Sequence, residues 1–342
     1  MKLTIRRPDN WHIHFRQGEM LKNVVPFTAS VFGRALVMPN TKPPIDENNT
    51  EGYREEILNA AKSHSFSPLM TVKLTKQSTP ESIRKAKERG AVAVKYYPEG
   101  VTTNSEDGVA NIKEVYSVME EMEREEMILS IHAEEPRSFV LSRESDFLPR
   151  VSQLIKDFPK LSIVIEHITT EQAVEFVLAS PDRVAATITV HHLYLTLHDV
   201  LCFRHGDNEF LNPHHYCKPV AKTPFDCLKL REAALSGNPK FFYGGDSAPH
   251  PRKNKESDCG CAGVFSAPVE MPLLTQFFET KNALGKLEPF VSEFGARFYK
   301  VPVNEGTITL EKEFWTVAKE YHGVVPFFSG ETLLWKVEGA VC

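Results

Sequence analysis

The sequence predicts an α/β chain folded as a closed (β/α)8 TIM barrel with extended loops at the C-terminal face of its strands. Three observations predict it. Apolar runs of strand length alternate with segments of helical period along most of the 342 residues, as parallel strands joined by crossover helices require. Eight such runs can be placed, the number that closes a barrel. Five of them end on chemically capable residues: His12 with His14, Lys95, His132, His167 and Asp246. A barrel gathers its strand ends around one mouth. A doubly wound open sheet, the structural alternative, would spread these residues over two sides of a switch point.

In chain order, the first strand covers residues 3–5 and leads into Trp11, ahead of His12-Ile13-His14. The next three cover residues 35–38, 70–74 and 91–95. Four more cover 127–131, 162–166, 184–188 and 241–244. Helical segments fall at 50–63, 79–89, 109–126, 144–158 and 170–178. The second has Ser78 and Thr79 as capping residues, Pro80 at its first position and Gly90 at its end, a full set of start and stop signals. Two stretches exceed a minimal barrel. Residues 191–222 form a long connection rich in Pro, His and Tyr before a helix near 225–236, and residues 247–268 are punctuated by Gly and Pro. Loops this long in a compact fold are usually functional. From about 268 onward, helical and loop segments finish the barrel and pack outside it. No repeat, low-complexity tract or linker divides residues 1–342, so the sequence reads as one domain.

Composition narrows the function. Hydrophobic residues make up 42%, charged residues 25%, and the net charge is −5 with both signs interspersed. That argues against a nucleic-acid surface. No apolar run reaches the roughly 18 residues of a membrane helix, and the first nine residues lack the apolar core of a secretory signal. Six cysteines (Cys202, Cys217, Cys227, Cys259, Cys261 and Cys342) are too few for a disulfide scaffold. They read as reduced thiols of a cytoplasmic protein.

On a strand, His12 and His14 share one face while Ile13 takes the other. Two imidazoles on one face are half of a metal site. Alone, the pair reads rather as surface or core histidines; the equivalent positions of His132, His167 and Asp246 turn it toward a metal. Asp246 follows Gly244-Gly245, so little bulk blocks its carboxylate. Lys95 is the odd member. By itself it reads as a snorkelling or substrate-anchoring lysine. A buried lysine with a lowered pKa is a free amine, and a free amine can take up carbon dioxide as a carbamate. The donor inventory then balances, with His12, His14 and Asp246 on one metal, His132 and His167 on a second, and the carbamate between. Such N/O ligands suit zinc, with manganese or cobalt as substitutes.

The order of these residues resembles the amidohydrolase superfamily, and most closely the bacterial type II dihydroorotases. The resembling strings run the length of the chain: PDNWHIHFRQGEML at 8–21, LVMPNTKPP at 36–44, VKYYPEGVTTNS at 94–105, IHAE at 131–134, IEHITT at 165–170, ATITVHHL at 186–193, PHHYCKPVAKT at 213–223, GGDSAPHPRKNKESDCGCAG at 244–263 and VPFFSGETLLW at 325–335. The resemblance implies reversible, zinc-dependent ring closure of N-carbamoyl-L-aspartate to L-dihydroorotate in pyrimidine biosynthesis. It implies two zinc ions per subunit on the six residues named, Lys95 being N6-carboxylated. In the hydrolytic direction a metal-bridging hydroxide attacks the ring carbonyl. Asp246 carries the proton to the departing nitrogen, and the same group serves in reverse.

The resemblance also implies a carboxylate clamp of Arg16, Asn40 and His250, a further substrate contact from His132, and main-chain contacts at Lys218 and Ala262. Thr102 and Thr103 match a mobile loop that closes over substrate. Singly, Arg16 reads as a surface ion pair, Asn40 as a turn residue, His250 as a loop histidine and the threonines as a helix cap. Lys218 departs from the apolar residue expected at its position, which main-chain binding tolerates. The resemblance adds a homodimer. His191-His192 and His214-His215 read as loop packing, the acidic run 119–126 as a solvated helix face, and Cys259 and Cys261 as packing thiols. A related cyclic amidase acting on neutral rings is a second reading, disfavoured by the clamp. A catalytically dead binding subunit is a third, disfavoured because all six metal positions are kept.

Overall fold

The structure, a computed structural model, describes residues 1–62, 64–205, 208–258 and 260–341. Cys259 and Cys342 therefore lie outside the described residues. The strands, in chain order, are β1 Lys2–Arg6, β2 Asp9–Ile13, β3 Arg34–Val37, β4 Ser67–Lys73, β5 Ala91–Tyr96, β6 Ile128–Ile131, β7 Ile163–Ile165, β8 Val184–Ile188, β9 Phe203–His205, β10 Asn208–Phe210, β11 Phe241–Tyr243, β12 Thr307–Thr316 and β13 Thr332–Val337. Eight of them form one sheet in the order β11-β8-β7-β6-β5-β4-β3-β2, with every neighbouring pair parallel. The two end strands meet just past their tips. Asp246 N donates to His12 O at 2.8 Å, His14 N donates to Ser247 O at 3.1 Å, and Ile13 and Ser247 form a parallel bridge. The sheet is thus closed as an α/β barrel, as the sequence predicts.

One strand is placed differently from the expectation. Residues 3–5 do not enter the barrel; β1 instead pairs antiparallel with β12, which pairs with β13 in a separate sheet. Pro8 lies between β1 and β2. It has no N–H to donate and a fixed φ, so it breaks the run into two strands. β12 and β13 correct the expectation of helices and loops near the end. Their period-two pattern is present, with Ile308 and Leu310 buried on one side of β12. The connection 191–222 carries the small β9–β10 hairpin.

Six of the expected helices appear, as Thr50–Ala61, Pro80–Glu88, Tyr116–Arg124, Arg143–Asp157, Glu171–Ala179 and Pro224–Leu235. Thr79 caps the second, its side chain accepting from Ser82 N. The third starts later than residue 109, after a 3-10 turn at Ile112–Val115. In the acidic run 119–126, Met119, Glu121 and Met122 are buried, and Glu121 is held by Arg84 and Arg124 at 2.9 Å each. That face is only partly solvated. The helix Gly18–Ala29 was not expected; Pro26 inside it disguises its period. Among the described residues no helix is long and apolar enough to cross a membrane.

The barrel interior is filled from below by Trp11, Leu36, Ala93, Val164, Ala185 and Phe242, with Tyr299 stacked on Trp11 at 4.3 Å between centroids. The β2–β3 register slips between Asn10 and Ile13. The slip lets Trp11 fill the floor and His12, its neighbour of opposite parity, still turn inward above it.

Candidate metal centre

Five of the six predicted metal residues line one cavity at the carboxyl ends of the barrel strands: His12, His14, His132, His167 and Asp246. The sixth, Lys95, is fully buried below, its Nζ 5.2 Å from the Tyr97 ring centroid. Arg16, Asn40, Thr102, Thr103, Lys218 and Ala262 line the same cavity. His250 stands behind it, its Nε2 2.9 Å from Arg16 Nη2 and 3.0 Å from Ala262 O. The structure therefore brings together every residue singled out for the site.

The backbone is shaped to do this. His167 and Asp246 have positive φ, 43° and 45°, and Arg16 has 61°; such angles are uncommon outside glycine and concentrate at functional sites. The two glycines before Asp246 are needed for close approach. A Cβ on Gly244 would meet Thr187 Cβ at 2.7 Å, and one on Gly245 would meet Glu270 Oε1 at 2.5 Å. Asn10 ties the seam, its Oδ1 accepting from Gly245 N at 2.7 Å and its Nδ2 donating to Glu270 at 3.1 Å.

The donor atoms suit a cation. His14 Nε2 and His12 Nε2 lie 3.1 and 3.4 Å from Asp246 Oδ1, close to the roughly 3.3 Å edge expected when ligands sit about 2.0 Å from a tetrahedral zinc. Ligand atoms of His12, His14 and Asp246 all fall within 4.8 Å of one another, and all three residues are buried. The other imidazole nitrogens are held from behind. His12 Nδ1 faces Glu166 Oε2 at 2.8 Å, and His132 Nε2 faces Glu134 Oε2 at 2.7 Å. A carboxylate behind a ligating histidine fixes its tautomer and aims the free lone pair. Burial disfavours the protonated forms of His14, His132 and His167, lowering His14 to about 4 and drawing the other two down as well. Burial opposes the Asp246 carboxylate, but positive charge on the neighbouring histidines and the His14 hydrogen bond outweigh it and hold it well below the usual carboxylate range. A divalent cation would supply that positive charge and leave the imidazoles neutral to ligate.

Among the buried side-chain atoms without a partner are two nitrogens of the predicted metal set, His167 Nδ1 and Lys95 Nζ, and beside them Tyr97 Oη. Unpaired buried polar atoms are rare and call for a missing group. Burial lowers Lys95 to about 8, against the pull of Glu166 and Asp246.

The sequence reading missed the supporting residues. Glu166 accepts from His12, from Ser130 Oγ and from Thr187 Oγ1, the last at 2.6 Å. Thr187 Oγ1 also accepts from His167 N at 2.7 Å. The signal was available: Glu166 directly precedes His167, and Glu134 follows His132 by two.

Of the spare histidines, His214 and His215 are held by loop partners, whereas both ring nitrogens of buried His191 have no partner. His214 Nε2 meets Glu256 Oε1 at 2.9 Å and His215 Nδ1 meets Asp199 O at 3.0 Å. His191, His192 and Cys217 do cluster closely enough for an ion. However, His192 already uses both nitrogens, on Thr189 Oγ1 and Pro219 O, and burial pushes the Cys217 thiol up to about 12. Among the described residues Cys202, Cys217 and Cys227 are free.

The loop over the cavity is tied to the clamp. Asn40 Nδ2 donates to Thr103 O at 3.1 Å and Asn104 Nδ2 donates to Asn40 O at 2.9 Å. Lys73 on β4 holds the far side, its Nζ donating to Asn104 O at 2.6 Å and to the Asp107 carboxylate.

Known proteins resemble this chain in sequence and fold. The profile of the Amidohydrolase family matches residues 9–332. A dihydroorotase of Teredinibacter turnerae is 45% identical over 345 residues, covering 98% of both chains. The crystal structure of dihydroorotase from Campylobacter jejuni superposes with a TM-score of 0.90 at 36% identity, covering 98% of this chain and 97% of that one. The dihydroorotase of Saccharomyces cerevisiae, in complex with 5-fluoroorotic acid, superposes with a TM-score of 0.90 at 35% identity over 98% of each chain. A barrel closed on its own ligands, matched over nearly its full length, places this chain in the amidohydrolase family and, within it, among the dihydroorotases.

Proposed function

We propose that the chain interconverts N-carbamoyl-L-aspartate and L-dihydroorotate by a two-metal mechanism, as a step of pyrimidine biosynthesis. The observation that carries the substrate is the clamp beside the metal residues. Arg16 Nε donates to Pro249 O at 2.9 Å, which leaves its outer edge facing His250. One proton on His250 Nε2 cannot serve Ala262 O and also leave a lone pair for Arg16. A carboxylate placed there accepts from Arg16 and relieves the conflict. Neutral rings have no group for it. The yeast relative's ligand is likewise a ring acid.

By donor set, His12, His14 and Asp246 would hold one zinc and His132 and His167 would contribute to a second, with Lys95, as a carbamate, supplying two further oxygen donors. Forming the carbamate joins Lys95 Nζ to the carbon of carbon dioxide and releases a proton, which a buried amine lowered to about 8 allows. When bound, the two cations polarise the ring carbonyl and lower the pKa of water. In the hydrolytic direction water oxygen adds to the ring amide carbon, the C–N bond breaks, and the departing nitrogen gains one proton. The Asp246 carboxylate, beside His12 and His14, takes that proton from water and hands it to nitrogen. In the synthetic direction the same carboxylate removes it. Arg16, Asn40 and His250 fix the ring through its carboxylate, His132 adds a contact, Lys218 and Ala262 offer main-chain groups, and Thr102 and Thr103 close above.

We further propose that residues 1–342 form one unit acting as a cytoplasmic homodimer. β1 and β13, from opposite ends of the chain, share one sheet, which supports the single unit; the free thiols support a reducing compartment.

The test is hydrolysis of dihydroorotate beside a neutral dihydropyrimidine by the zinc-loaded protein. Dihydroorotate alone should turn over, and Asp246→Asn should lower kcat by about 10²–10⁴-fold. Labelled bicarbonate should leave carbon on the wild type and none on Lys95→Met. Turnover of the neutral ring alone would move the activity to another cyclic amide, and an unlabelled wild type would remove the carbamate.

A further inference from the structure

Lys255 ends the short helix Arg252–Lys255 and is only 3% exposed. No carboxylate pairs with it among the described residues. Its Nζ donates instead to three main-chain carbonyls: Tyr216 O at 2.8 Å, Cys261 O at 2.7 Å and Gly263 O at 2.8 Å. An ammonium has three protons, so all are spent. Burying a lysine without a counter-ion costs stability, and here burial draws its pKa down to about 8, which still leaves the cation dominant at neutral pH. Carbonyl dipoles are the compensation the fold supplies.

The three carbonyls come from two separate loops. Tyr216 stands two residues before Lys218, and Cys261 and Gly263 flank Ala262; Lys218 and Ala262 both line the cavity. Peptide planarity turns this into a statement about direction. The C=O of Cys261 and the N–H of Ala262 belong to one planar unit and point opposite ways when it is trans, and among the described residues the cis bonds are those before Pro43 and Pro219. Drawing Cys261 O onto buried Lys255 therefore turns the Ala262 N–H away from it, to the side that faces the cavity. The next peptide is locked crosswise. Ala262 O faces His250 Nε2 at 3.0 Å, and Gly263 N donates to Tyr216 O at 2.9 Å. Tyr216 O thus serves both Lys255 and Gly263 and ties the two loops together.

We propose that Lys255 is a positioning residue for the substrate: its ammonium holds the two loops in register and aims the Ala262 N–H at an acceptor on the bound ring. The proposal rests on the reading above of Ala262 as a main-chain substrate contact. It is distinct from the metal residues, none of which Lys255 touches through a hydrogen bond.

The experiment is steady-state hydrolysis of dihydroorotate by zinc-loaded wild type, Lys255→Gln and Lys255→Met, with metal content and thermal unfolding recorded for each. Lys255→Met should raise KM about tenfold, the loss of roughly one well-aimed hydrogen bond, while kcat and metal content stay near the wild type. Lys255→Gln, which keeps two of the three donors, should fall between. A folded Lys255→Met with wild-type KM overturns the proposal. So does a fall in kcat that tracks lost metal with KM unmoved, because that is collapse of the site rather than misdirection of one amide. Should Lys255→Met fail to fold, an unchanged KM in Lys255→Gln overturns it as well. An inactive wild type with two metals bound would instead sink the functional reading, and the proposal with it.

Discussion

Glu166 is the residue on which most of the centre leans. It is fully enclosed, yet three side chains donate to it from three different strands: His12 on β2, Ser130 on β6 and Thr187 on β8. Its charge fixes the proton of His12 on Nδ1, so the Nε2 lone pair faces Asp246. Glu166→Gln removes that control while keeping size and shape. We expect metal affinity to drop about 10–100-fold, read as metal retained after dialysis against a graded chelator. Retention equal to the wild type would show that packing alone orients His12. The sequence pointed to the ligands around this residue, and its place directly before His167 was a signal, but its partner His12 is named only by the fold.

At the scale of elements, the loop carrying Thr102 and Thr103 lies down over the cavity. The space between it and the metal residues is about 20 Å³, with Thr102 and Thr103 in its lining, little more than the roughly 10–15 Å³ that one water needs. The loop's outer hold is Lys73, whose side chain is 2% exposed against 41% for Asp107. Lys73→Met should leave the loop raised and lower kcat/KM by about tenfold, with faster proteolysis between residues 98 and 109. Kinetics and proteolysis both matching the wild type would mean that the Asn40 contacts suffice. Elements of this kind were legible in the sequence where one rule governed them. The six helices followed from period and caps, and seven barrel strands from their apolar runs. β1 and β2 were read as one segment although Arg6-Arg7-Pro8-Asp9-Asn10 separates their apolar residues, and β12 and β13 were passed over although Leu333, Trp335 and Val337 alternate as buried residues. The barrel-external partner of β12 is β1, some 300 residues away in sequence, and local pattern carries no sign of that pairing.

For the whole molecule, the metal residues are also structural neighbours across the seam. His12 and His14 sit at one edge of the sheet and Asp246 at the other, with β2 and β11 meeting only through their tips. Cations bound there favour the folded state by mass action. Removing them should lower the unfolding temperature by roughly 5 °C, and by less in Asp246→Asn. Equal unfolding temperatures with and without metal would show a seam that closes unaided.

That seam gives the ion a second trade. A link between positions 12 and 246 fastens a loop of more than two-thirds of the chain, the kind of closure that is costly to make by chance and effective once made. The clasp cannot be shut until the last barrel strand has arrived, so the ion can act as an inspector of finished barrels. A chain that has misplaced its final strand offers only half a binding site and leaves with none of the catalytic power.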